Sequence, residues 1–82
     1  MTLETFLTLT EDEQLILLTE DGIYIGKRTD RLLPSILYQL DSFYVEIVYR
    51  TYRRYIWVIN CSNSTAILEP YLDQVESGIQ VN

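Results

Sequence analysis

The sequence predicts an α+β domain of two layers, a three- to four-stranded antiparallel sheet with N- and C-terminal helices packed on one face. Three observations point there. Apolar residues near both ends recur at helical spacing, while those in the middle alternate with a period of two. The pair Asp41-Ser42 then divides the longest alternating run into two strands of a hairpin. Strands grouped in the middle with helices outside them form a layered domain rather than a βαβ fold. Eighty-two residues suit one domain, 1–82, and a 48% hydrophobic fraction is enough to build a core.

The elements follow in order. Residues 2–7 suit a short first helix. Thr10-Glu11-Asp12-Glu13 has the form of a capping box, with Thr10 as N-cap and Glu13 reaching back to it. The run Leu15–Leu18 continues that helix over about residues 11–20, and Gly22 offers a stop. Ile23 and Ile25 open a first strand, in which Gly26 marks a bulge or a close backbone approach. Pro34 bounds the loop after it.

"SILYQLDSFYVEIVYR" is the hairpin. A two-residue loop at Asp41-Ser42 sets Leu40 opposite Phe43, Tyr38 opposite Val45 and Ile36 opposite Ile47, so both strands turn their more apolar side to one face. "YIWVINC" is a further strand by its aromatic and branched residues. Of its two faces, Tyr55, Trp57, Ile59 and Cys61 are expected inward, because the other carries Asn60. "SNST" breaks the strand. Ile67, Leu68, Tyr71, Leu72 and Val75 then recur at helical spacing, with Pro70 requiring a fresh start or a kink.

Composition excludes several functions. The chain has no histidine and one cysteine, Cys61, so neither a disulfide within the chain nor a Cys/His zinc site is expected. Without histidine to lower its pKa, Cys61 at the end of an apolar strand is expected to be a buried, inert thiol. No catalytic residue, metal site or cofactor site is predicted, and the protein is not expected to be an enzyme. "GIYIGK" fits no phosphate-binding glycine pattern, and Glu11-Asp12-Glu13 lacks the alternation of a calcium loop. The first residues carry no basic start and no long apolar run, and no stretch approaches the ~20 apolar residues of a membrane span. A cytoplasmic protein is the expectation.

Charge is uneven. The net charge is −6, yet all six basic residues lie between positions 27 and 54, while residues 1–26 hold six acids. Half of the bases fall in "RTYRRYIW". Lys27, Arg28, Arg31, Arg50, Arg53 and Arg54, with Tyr52, form a candidate contact for anionic ligands, since cationic grooves with aromatic platforms grip single-stranded nucleic acid. The acidic balance opposes that reading. The second candidate is the sheet face turned away from the helices, with Leu37, Tyr44, Val48, Ile56 and Val58. A contiguous apolar patch there suggests a protein partner, most simply a second copy in a two-fold homodimer.

The strings "MTLETF", "LLTEDGIYIG", "ILYQLDSFYVEIVY" and "ILEPYLDQV" together resemble a group of small uncharacterised bacterial proteins. The resemblance covers most of the chain and implies a stand-alone cytoplasmic domain. It carries over no activity, cofactor or site residue. The sequence thus predicts a non-catalytic interaction domain, with nucleic-acid binding through the basic tip as the alternative.

Overall fold

The computed structural model describes residues 1–29, 32–51 and 54–74. Helix α1, Leu3–Leu7, starts at Thr2, whose side chain accepts from the Thr5 N–H. Helix α2, Glu11–Asp21, has the expected capping box. Thr10 Oγ1 accepts from the Glu13 N–H at 3.2 Å, and Glu13 Oε1 accepts from the Thr10 N–H at 2.9 Å. Both pairings satisfy N–H groups that a helix start leaves without intrahelical partners. Gly22 ends α2 in extended geometry, and its N–H donates to the Leu18 carbonyl. A β-carbon at Gly22 would lie 2.5 Å from that carbonyl oxygen, so close approach, not a left-handed turn, makes this position a glycine.

Four strands follow: β1 Ile23–Arg28, β2 Ser35–Leu40, β3 Phe43–Thr51 and β4 Tyr55–Ser62. They form one antiparallel sheet in the order β1-β2-β3-β4. The hairpin register is the predicted one, with Leu40 opposite Phe43, Tyr38 opposite Val45 and Ile36 opposite Ile47. Asp41 takes a positive φ of 53° in the turn, a conformation that Asp tolerates better than most side chains. Gly26 stands beside the expected bulge, where the β1–β2 register shifts between Tyr24 and Gly26. The close approach to it is made by a side chain, that of Gln74, not by backbone.

The core lies between one sheet face and α1 and α2. Phe6 and Leu18 from the helices meet Ile36, Leu40, Phe43, Val45, Ile47 and Tyr49 from the sheet. The Phe6 and Phe43 rings pack tilted, with centroids 5.4 Å apart.

The α+β class stands, with its antiparallel sheet and helices at both ends. The C-terminal segment takes a different seat from the expected one. Thr65–Tyr71 is a 3₁₀ helix containing Pro70, and residues 72–74 continue as α-helix. Val75 lies outside the described residues. The Tyr71 ring is buried, and its hydroxyl donates to Glu46 Oε2 at 2.7 Å. With that proton committed, the Ser35 hydroxyl donates to Tyr71 Oη at 2.5 Å. Ser35 and Glu46 alternate with the core residues Ile36, Val45 and Ile47, so Tyr71 sits on the opposite face. The sheet is therefore covered by α1 and α2 on one side and partly by the C-terminal segment on the other. The physical reason is polar: Tyr71 brings a hydroxyl, and only that face offers a serine and a carboxylate to receive it.

Candidate interaction surface

Strand β4 departs most from expectation. Ile59 and Cys61 pack against the core as predicted, but Tyr55 and Trp57 are 62% and 53% exposed, and Ile56 packs inward instead. Two irregularities cause this. Val48 pairs with Val58 and Tyr49 with Ile56, so Trp57 is one residue extra on β4. Tyr49 pairs with Ile56 and Thr51 with Tyr55, so Arg50 is extra on β3. Each extra residue interrupts the alternation and re-aims its neighbours. Trp57 is thus a surface residue, contrary to its expected place in the core. The Arg50 guanidinium lies over the Trp57 ring, 4.2 Å from its centroid, and Arg54 stands 6.0 Å from the Tyr55 ring centroid.

The five residues expected on an open apolar face separate. Leu37 is fully buried and Val48 is 5% exposed, on the face that Tyr71 shares. Ile56 belongs to the opposite, core side. Tyr44 is half-buried, and Val58 is 39% exposed. The continuous open face is therefore corrected. The docked C-terminal segment occupies part of it, and the β4 irregularities remove Ile56 from it. The large apolar residues of β4 that stay exposed are Tyr55, Trp57 and Val58.

Among the described residues, Lys27, Arg28, Arg50 and Arg54 gather at one end of the sheet. Arg28, Ser35, Val48 and Val58 form one row across the four strands, and Arg50 and Arg54 lie just beyond it. Three of these basic residues line two different clefts. Lys27 and Arg28 border a polar cleft of about 370 Å³ with Thr29, Pro70, Asp73 and Gln74. Arg50 and Trp57 border another of about 240 Å³ with Leu32 and Leu33. Arg31, Tyr52 and Arg53 lie outside the described residues. At the other end of the sheet, Asp41 pairs with the Met1 amino group at 3.0 Å, and Asp21 precedes the start of β1. Charge is thus polarised along the strands.

One structural feature beside the basic cleft carried no obvious signal in the sequence. Gln74 Oε1 accepts from the Lys27 N–H at 3.0 Å, and Gln74 Nε2 donates to the Lys27 carbonyl at 2.7 Å. The side-chain amide pairs with the β1 edge as a neighbouring strand would. A β-carbon on Gly26 would lie 2.5 Å from Gln74 Oε1, so this glycine makes room for the amide. Gly26 was the available clue, but nothing in the sequence paired it with position 74.

Cys61 is half-buried, and that burial raises its thiol pKa. The thiolate is the reactive form, so alkylation by iodoacetamide at neutral pH should be several-fold slower in the folded protein than in urea. Mass spectrometry of timed samples checks this; equal rates would contradict the burial effect. Among the described residues, no group of three or more His, Cys, Asp or Glu is placed to hold a metal ion, and no helix is long and apolar enough to cross a membrane. No protein-family model, curated protein or solved structure matches the chain.

Proposed function

We propose that this chain is a small, non-catalytic protein-interaction domain that works in the cytoplasm and associates with a second copy of itself. The observation that carries this reading is the exposed apolar surface of β4. Tyr55, Trp57 and Val58 are each exposed within a few positions of one another on an edge strand, and apolar groups exposed in this way are candidates for an interaction site. The contact surface is thus narrower than a whole sheet face and lies along one side of the sheet. The lack of histidine and the raised thiol pKa of Cys61 support a non-catalytic role. Sedimentation at micromolar concentration should give a dimer. Trp57, the single tryptophan, sits in this surface, so its emission should shift as the dimer is diluted. A monomer at all concentrations, with invariant emission, ends the reading.

A second reading, a nucleic-acid-binding module, is favoured by one observation. Arg50 with Trp57 and Arg54 with Tyr55 place cationic and aromatic groups together at one end of the sheet. Fluorescence anisotropy with short single strands separates the readings. Binding that weakens steeply with salt and is lost in Arg50→Glu/Arg54→Glu would favour nucleic acid. No binding at low salt removes it.

A further inference from the structure

We infer that two copies join by antiparallel pairing of β4 with β4 about a two-fold axis at Asn60, forming one continuous eight-stranded sheet. The inference rests on the self-association reading above and specifies its geometry.

The argument begins with the direction of backbone groups. In an antiparallel sheet, the N–H and C=O of one residue point to the same side, and successive residues alternate. The Tyr49 N–H donates to the Pro34 carbonyl, so Tyr49 turns toward β2. Val48, Glu46 and Tyr44 therefore turn toward β4, where Val58, Asn60 and Ser62 answer them. Ile59 and Cys61 are left with N–H and C=O directed outward along the free edge. The β1 edge supports the same phase: Lys27, opposite Ile36, turns outward to Gln74.

The two edges of the sheet are thus unlike. At Lys27 both outward groups of β1 are satisfied by Gln74. At Ile59 and Cys61 no partner stands among the described residues, and an edge in that condition is a template for another strand. Pairing β4 with its own copy about Asn60 sets Ile59 opposite Cys61 of the second copy, twice over. All the outward groups of these two residues then find partners.

Charge selects a second copy in this orientation. Arg54 and Arg50 lie at one end of β4, and the β2–β3 turn bearing Asp41 lies at the other. Antiparallel pairing keeps the two basic ends apart, each facing the end of the other copy where Asp41 and Met1 form their ion pair. Parallel pairing would set Arg54 beside Arg54, which like charges oppose. The side chains beside the axis add no obstacle, because Asn60 is an exposed amide whose contact is to Glu46 within its own copy.

Cross-linking tests the register. In Cys61→Ser protein, Asn60→Cys places two thiols across a non-hydrogen-bonded pair, where Cα atoms lie about 4.5 Å apart and a disulfide can close. Val58→Cys, displaced from the axis, is the control. Mild oxidation should link Asn60→Cys chains at least about tenfold faster than Val58→Cys chains, reflecting the local thiol concentration at the axis. A second measurement uses the unaltered protein. The amides of Ile59 and Cys61 should exchange slowly with deuterium at concentrations where the dimer forms, and quickly on dilution. A dimer in sedimentation with equal cross-linking rates and unprotected amides overturns the β4 pairing and leaves self-association standing. A monomer overturns both.

Discussion

Replacing Phe6 with alanine should largely unfold the protein at room temperature. Phe6 is fully buried, packs against Phe43, and is the buried residue of the five-residue helix α1. Truncating a buried phenylalanine costs about 3–5 kcal/mol, from lost transfer energy and the cavity left behind. A core of this size supplies roughly the same amount, ~3–5 kcal/mol. The two magnitudes leave little net stability. Thermal denaturation followed by circular dichroism checks this, with Phe6→Leu as a milder comparison. A cooperative melt of Phe6→Ala within a few degrees of wild type would show that α1 is not part of the core.

Tyr71→Phe should cost about 1–3 kcal/mol, although it removes a single oxygen. That oxygen accepts from the buried Ser35 hydroxyl and donates to Glu46, so its loss leaves a buried donor without its acceptor. The apolar ring remains, and so does most of its packing. Adding Ser35→Ala should recover part of the loss, because the orphaned donor goes with it. Urea denaturation of the two single variants and the double variant gives the coupling as a cycle. Additive losses would mean that the two hydroxyls are not energetically linked, and that Tyr71 holds the C-terminal segment by its ring alone.

The two predictions address opposite sides of the sheet, and the sequence revealed those sides unequally. The hairpin was legible because its turn and its apolar alternation specify the same register; a slip by one residue would have exposed Ile36, Val45 and Ile47 together. The capping box of α2 was legible because it is local, with both partners within four residues. Strand β4 was not. Its pairing with β3 is irregular at Trp57 on β4 and at Arg50 on β3, neither of which is a glycine or proline, so simple alternation runs straight through them. The alternation therefore places Trp57 in the core and Ile56 at the surface, the reverse of their places in the fold. The seat of the C-terminal segment was hidden for another reason. It depends on hydrogen bonds from Tyr71 to Ser35 and Glu46, partners 36 and 25 residues away. Apolar spacing alone identified Tyr71 as buried but could not say beneath which face. The basic residues were partly legible: the strand order brings those described to one end, but Lys27 and Arg28 line one cleft and Arg50 another.

The amide of Gln74 has a consequence for assembly size. A sheet with two receptive edges is a bifunctional monomer, and each added copy exposes a new site for the next, which is the growth rule of a fibre. Capping Lys27 from the side chain of Gln74 takes one of those two functions away at that point. At Lys27 the β1 edge is thus less receptive than the β4 edge. If β4 joins β4, each end of the resulting sheet carries a Gln74 amide on its Lys27 backbone, which opposes the addition of a third copy there.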